Sequence, residues 1–271
     1  MIVTFIGGGN MASALIGGML NKGFQANGIR VVELVAEARE RMRKDFGVDC
    51  HESPASAVPG SDVVVLAVKP QQLQSVARAI GPLIRGALVL SIAAGIRLAD
   101  IERWLVGSPV LARCMPNTPA LIGMGISALY ARPNASAAQR EAAARILGAG
   151  GKVVWVDDES LLDPVTALSG SGPAYAFYLL EAMQEAGVAM GLAPGIAREL
   201  AIETVRGAAE LAARASESPE RLRAKVTSKG GTTEAALASM ESAGVKRAIV
   251  RAIGDANRRA AELAEQFGKD T

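Results

Sequence analysis

The sequence is short of the side chains on which most enzyme chemistry depends. Among 271 residues there is one histidine, His51, and there are two cysteines, Cys50 and Cys114. The cysteines lie far apart, outside any CxxC or metal-ligand spacing, so no metal site is expected and both read as buried thiols in a reducing compartment. His51 falls in a short strand or loop and reads as an ordinary structural or surface histidine. Neither HExxH nor GxSxG occurs, which removes the zinc-hydrolase and serine-hydrolase readings. Aromatics make up only 4% of a chain that is half hydrophobic, so the core must be built from Ala, Leu, Ile and Val. A formal charge of +2 leaves no electrostatic footprint for nucleic acid or an anionic membrane. Long apolar runs are missing too: the longest charge-free stretch, Val165 to Leu180, is broken by Ser169-Gly170-Ser171-Gly172-Pro173, which argues against a membrane span. Strand-like residues begin at Ile2 and leave no basic region for a secretory signal. The expectation is a soluble cytoplasmic protein with no nucleic-acid or membrane partner.

Glycine, by contrast, is abundant, with 29 residues, which suits tight turns and close backbone approach. The first half alternates short β-branched runs with helical spacing. Strands are expected at Ile2–Ile6, Ile29–Glu33, Val63–Val68, Ala87–Ile92 and Val110–Met115, with Ile126–Tyr130 and Val153–Val156 extending the sheet's edge. Helices are expected at Met11–Leu20, Ala36–Phe46, Gln71–Ile84, Leu98–Leu105 and Ala135–Leu147. Continuous apolar strands between helices imply a parallel sheet covered on both faces. From Glu159 onward only helices are expected. Ala176, Leu179, Leu180, Met183, Ala186, Gly187 and Met190 share one face of the first long helix. Ala197, Leu200, Ala201, Thr204, Val205 and Ala208 share a face of the next, and Ala248, Ile249, Ala252, Ile253 and Ala256 are expected inward on the last. The fold class is therefore α/β: an N-terminal Rossmann-like doubly wound sheet, 1–158, followed by an all-α part, 159–271. About 110 helical residues are few for so much apolar surface, and dimerisation through them is the expected remedy.

Gly7-Gly8-Gly9-Asn10-Met11-Ala12 follows a strand and opens a helix, fitting GxGxxG/A with Ala12 in the third small position. Gly7 permits the turn, Gly9 lets backbone approach a pyrophosphate, and the helix N-terminus offers N–H donors. The residue closing the second strand, Glu33, is placed to accept from the ribose 2′-hydroxyl of NAD and to repel the 2′-phosphate of NADP, or else is a solvated strand end. On that charge argument alone the sequence leans to NADH. Ala67, Val68, Lys69 and Pro70 end the third strand, with Lys69 near the phosphates or the nicotinamide ribose. Ala93, Ala94 and Gly95 end the fourth and leave room for a nicotinamide ring. Pro116-Asn117-Thr118-Pro119 stiffens a polar turn beside the same edge.

In the helical half, Val226-Thr227-Ser228-Lys229-Gly230-Gly231-Thr232-Thr233-Glu234 gathers hydroxyls and clustered N–H groups before a helix. That suits a small carboxylate, or serves only as a helix cap with a flexible lead-in. Leu168–Pro173 has a similar double reading. Hydride transfer onto a protonated imine asks for positioning and a hydroxyl donor near nitrogen more than for an acid–base histidine. The missing histidine counts against a 2-hydroxy-acid dehydrogenase.

These segments in this order resemble pyrroline-5-carboxylate reductases over nearly the whole chain: FIGGGNMA, AVKPQ, SIAAGI, RCMPNTPALIGMG, LSGSGPAYAFYLLEAM and VTSKGGTTEAAL. The resemblance implies reduction of 1-pyrroline-5-carboxylate to L-proline with NADPH or NADH. It also implies a helical domain that interlocks as a homodimer, with dimers assembling into decamers and a pocket between subunits. By position, Gly7, Gly8, Gly9, Asn10 and Met11 would hold the pyrophosphate, and Val68, Lys69 and Pro70 with Ala93, Ala94 and Gly95 would line the ribose and nicotinamide. Ser228, Gly231, Thr232 and Thr233 would hold the carboxylate. Thr233, as the catalytic hydroxyl, would hydrogen-bond the ring nitrogen, and Glu159 matches an acidic position near that pocket. The sequence departs from the family pattern at Glu33-Leu34, where many members carry Ser or Arg. It departs also at Pro54, in place of an adenosine-side Asn, and at Lys225, in place of an Asn before the substrate loop. Reduction of a related cyclic imine or keto acid, and a non-catalytic NAD(P)-binding regulator, are the competing readings.

Overall fold

The computed structural model describes residues 1–107 and 109–268; the last three positions of the expected helical half, 269–271, lie outside the described residues. By internal contacts the chain divides into two units, one of Met1–Ser171 joined by the stretch from Ala256, the other of Gly172–Asp255.

The first unit is an α/β layer structure. Its chain runs β1 (Val3–Ile6), α1 (Asn10–Asn21), β2 (Ile29–Val32), α2 (Ala36–Phe46), β3 (Asp49–His51), α3 (Pro54–Ala57), β4 (Val63–Leu66), α4 (Pro70–Ile80), β5 (Leu88–Ser91) and α5 (Leu98–Leu105). It continues through β6 (Val110–Met115), β7 (Gly125–Ala131), α6 (Ala137–Gly148) and β8 (Gly151–Trp155) to a short helix, α7 (Leu162–Val165). The sheet order is β3-β2-β1-β4-β5-β6-β7-β8. All pairings are parallel except β6 with β7. The β-branched runs of β1, β4 and β5 are buried along their whole length, as a sheet covered on both faces requires. Phe5, Leu15, Ile16 and Met19 lie in the core on one face. Leu73, Ala77, Ile80 and Trp104 lie in the core on the other. Each large side chain so buried contributes roughly 1.5–3 kcal/mol relative to exposure. Gly18 lets α1 press against the end of α6, since a Cβ there would fall on the Ala149 carbonyl oxygen.

Two features refine the expectation of a parallel sheet: the segment around His51, expected as a short strand or loop, is a strand, and one pairing is antiparallel. Asp49–His51 forms an edge strand beside β2, and β7 runs antiparallel to β6. The stretch joining β6 to β7 holds only a 3₁₀ turn, Thr118–Ile122. That is too short for the crossover a parallel pair needs.

The second unit contains α8 (Gly172–Ala189), α9 (Pro194–Arg214), α10 (Pro219–Lys225), α11 (Thr232–Ser242) and the first part of α12 (Val245–Phe267). Pro194 occupies the first turn of α9, as anticipated. Gly187 is buried where α8 meets α9, its missing Cβ leaving room for Ala197. The faces expected inward are only partly so. Ala197 and Ala201 are buried, but Leu179, Met190, Leu200, Ala248, Ile249 and Ala252 are exposed in the single chain. The buried positions of α12 are Ala260 and Ala264, further along. Helical spacing identifies an apolar stripe but not what covers it, and so few helices cannot enclose stripes this wide.

Candidate functional site

The carboxyl ends of β1, β2, β4 and β5 point to one edge of the sheet, with the strand order reversing beside β1. That edge is where open α/β sheets take dinucleotides. Gly7 leaves β1 with φ +105°, a conformation that favours glycine, and a Cβ there would lie 2.8 Å from the Ala67 carbonyl oxygen at the end of β4. Gly9 is the extended residue before α1, and a Cβ on it would meet nothing within 4 Å. The loop therefore has open space in front of backbone N–H groups that find no partner within the helix. Asn10 and Met11 form the first turn of α1, and no side chain caps it.

Glu33 stands immediately after β2, and both of its carboxylate oxygens are engaged. Oε2 accepts from Gly8 N at 3.0 Å and Oε1 from Val35 N at 3.0 Å. The side chain thus braces the glycine loop against the β2 terminus. Beneath it, the Arg39 guanidinium donates to the carbonyls of Glu33 (2.7 Å) and Leu34 (2.8 Å) and pairs with Glu52 (3.3 Å). Arg39 lies a turn into α2, and its long side chain brings the charge back to the strand end.

Lys69 is exposed just before Pro70, which opens α4. On the neighbouring strand, Ser91 Oγ accepts from Ala93 N at 3.3 Å. Ala93 and Gly95 are buried, with Ala94 half-buried between them. Gly95 has φ +69° and lies against α12, where a Cβ would come 3.3 Å from Leu263 Cβ. Its lack of a side chain thus serves helix packing as well as the rim. Asn117, missed as a positioned group, donates from Nδ2 to Ser169 O at 3.1 Å and accepts from Ile126 N at 3.0 Å. It ties the end of β6 to the π-helical turn Thr166–Gly170.

Arg113, also missed, is a buried guanidinium in the middle of β6. Glu159 pairs with it at 3.2 Å and accepts from Leu98 N at 2.7 Å, so both known partners of this carboxylate belong to the α/β unit. The only sequence signal for Arg113 is a charge inside an otherwise apolar strand.

In the second unit the structure brings Ser228, Gly231, Thr232 and Thr233 together where a tight turn runs into α11. Gly231 N donates to Ser228 O at 3.1 Å, and a Cβ on Gly231 would lie 2.7 Å from Ser228 Oγ. Gly230 has φ +74°, and its N–H donates to Glu234 Oε2 at 2.6 Å. Thr232 and Thr233 begin α11 with no side-chain cap, leaving the first N–H groups of a helix beside three hydroxyls. Lys225, one of the departures from the family pattern, donates to Glu217 at 2.6 Å. Pro54, another, opens α3 behind a Ser53 cap.

Cys50 and Cys114 are buried free thiols, and burial pushes the pKa of both upward. His51 pairs with Asp49 at 2.9 Å on the edge strand. Among the described residues no three His, Cys, Asp or Glu side chains group as metal ligands, and no helix is long and apolar enough to cross a membrane.

Two family models match. Residues 159–263 fit pyrroline-5-carboxylate reductase dimerisation, and residues 2–95 fit NADP oxidoreductase, coenzyme F420-dependent. A pyrroline-5-carboxylate reductase of Pseudomonas aeruginosa is 47% identical, covering 98% of both chains. A solved pyrroline-5-carboxylate reductase from Coxiella burnetii superposes with TM-score 0.92 at 38% identity, over 97% of this chain and 98% of that one. A pyrroline carboxylate reductase of Plasmodium falciparum, solved with NADP bound, gives TM-score 0.88 at 26% identity, covering 97% of this chain and 98% of its own. With likeness of this strength running end to end, the chain belongs to the pyrroline-5-carboxylate reductase family.

Proposed function

We propose the following division of labour for the reaction of this family, reduction of the imine of 1-pyrroline-5-carboxylate to L-proline in proline biosynthesis. Residues 1–158 bind NADPH or NADH, and residues 159–271 bind the substrate and join a second copy. Gly7, Gly8, Gly9, Asn10 and Met11 take the pyrophosphate, and Glu33 faces the adenosine ribose. Ala67, Val68, Lys69 and Pro70 hold the middle of the cofactor, and Ala93, Ala94 and Gly95 wall the nicotinamide. The open space at Gly9 and the clash-free approach of Gly7 to β4 support this fit. Bound there, the reduced dinucleotide supplies the hydride.

The observation that carries the substrate reading is the turn before α11. Ser228, Gly231 and Thr232 offer hydroxyl and N–H donors at the positive end of a helix, suited to a carboxylate. The Thr233 hydroxyl oxygen accepts from the N–H of the protonated imine and holds it in line, and once hydride addition gives the nitrogen a lone pair the hydroxyl can donate to the amine. A protonated imine is already electrophilic, so no histidine is required. The chain works as a homo-oligomer, a dimer through the helical unit with further assembly into a decamer. The exposed apolar stripes of α8, α9 and α12 support the dimer. The two unpaired buried thiols fit a cytoplasmic setting.

Steady-state assays with 1-pyrroline-5-carboxylate against pyrroline-2-carboxylate test the substrate, and negligible turnover of the former defeats the assignment. Thr233→Ala is expected to lower kcat roughly ten- to a thousandfold. An unchanged kcat removes Thr233 from the mechanism.

A further inference from the structure

The loop Ile92–Arg97, which carries Ala93, Ala94 and Gly95, is closed at both ends by one ion pair. At its start, Ser91 of β5 stands in register with Arg113 of β6. At its end, the N–H of Leu98, first residue of α5, donates to Glu159 Oε1 at 2.7 Å. The same oxygen accepts from Arg113 Nη1 at 3.2 Å. The Arg113 side chain is only 4% exposed, and its other nitrogen, Nη2, faces Asp163 Oδ1 at 3.7 Å. A strand and the helix that follows the loop therefore share one carboxylate oxygen. Glu159 meets two demands at once, since a buried guanidinium needs a counter-charge and a helix N-terminus favours an anion.

We infer that Glu159 is a positioning residue for the nicotinamide wall, acting through Leu98 and Arg113 rather than by contact with the substrate. The inference rests on the proposed role of Ala93–Gly95. Leu98 follows those three residues in sequence, and Arg113 stands in register with Ser91 just before them. On the other side Leu263 lies against Gly95, so the wall is held from two directions. Hydride transfer depends steeply on donor–acceptor distance, and a small shift of this wall changes cofactor binding and turnover together.

The test reads cofactor binding without substrate. NADPH and NADH are titrated by fluorescence into wild type, Glu159→Ala and Glu159→Gln, and steady-state constants for 1-pyrroline-5-carboxylate are measured in parallel. Glu159→Ala should raise the cofactor Kd roughly five- to thirtyfold and lower kcat, leaving the pyrroline KM within about twofold. Glu159→Gln keeps a carbonyl oxygen for Leu98 N–H and should recover part of the loss. An unchanged cofactor Kd with a raised pyrroline KM would overturn the inference and return Glu159 to the substrate. Equal losses in both variants would overturn the Leu98 link. Ala94→Asp, placing a charge on the wall itself, separates the two levels. If it binds cofactor as wild type does, the wall reading fails and the inference with it. If it loses binding while Glu159→Ala keeps it, the inference alone fails. Circular dichroism fixes a temperature at which every variant is folded.

Discussion

Replacing Glu33 by Gln should shift the chain toward NADPH at a small cost to NADH. In the proposed cofactor site Glu33 faces the place where the two cofactors differ, and NADPH would bring there a phosphate of about −1.5 to −2 charges. If that phosphate lies about 5 Å from the carboxylate, an effective dielectric of about 40 to 80 gives about 1.2–3.3 kcal/mol of repulsion. That corresponds to a handicap of roughly eight- to 260-fold, reduced by salt. The choice of Gln follows from the hydrogen bonds: Glu33 holds Gly8 N–H and Val35 N–H at 3.0 Å each. Gln keeps an acceptor for one of them and gives up the charge together with the other acceptor. Ser would drop both, and should lower kcat/KM for both cofactors by loosening the glycine loop. The assay is kcat/KM for NADPH and NADH at low and moderate salt. A ratio changed by less than twofold in Glu33→Gln at low salt would refute the electrostatic argument. The phosphate would then be met by another group, with Arg39, already beneath the strand end, the first to examine.

At the turn proposed to hold the substrate, Glu234 accepts from Gly230 N–H at 2.6 Å and thereby supports the left-handed residue behind the proposed carboxylate donors. Glu234→Ala should raise the pyrroline KM about three- to tenfold with kcat within twofold, and Glu234→Gln should restore it. A lowered KM in the alanine variant would mean that the carboxylate competes with substrate instead. Met190 and Ile249 are 77% and 53% exposed in the single chain. Met190→Lys with Ile249→Glu should therefore dissociate the oligomer by light scattering, and an unchanged mass would place the interface elsewhere.

Much of the fold is legible because β-branched runs and helical spacing are local. The bounds of β6, α2 and α5 follow directly from where the apolar pattern starts and stops. Asp49–His51 is harder: three residues, two of them polar, paired on one side only. Strand direction is not written in alternation either, so β7 reads the same whichever way it runs. Only the short link after Pro116 carries that information. Inward faces fail for a third reason. An apolar stripe on α8 or α12 looks identical whether its cover is the same chain or another copy.

The candidate site divides along a similar line. Backbone devices announce themselves, since Gly7 must turn, Gly9 must stay open, Gly230 must take a left-handed conformation and Gly231 must crowd Ser228. Side chains that act across the fold do not. Glu33 was legible as a charge at a strand end, yet its grip on Gly8 depends on how near β1 and β2 bring two residues 25 apart. Glu159 is the extreme case, reaching an arginine 46 residues back and an amide 61 residues back. Resemblance marks such a carboxylate as functional without saying on what it acts. Its partners do say: an acid whose oxygen is shared by a buried guanidinium and a helix N–H has little freedom left for a passing substrate. Its influence on the reaction must then run through the loop that those two partners enclose.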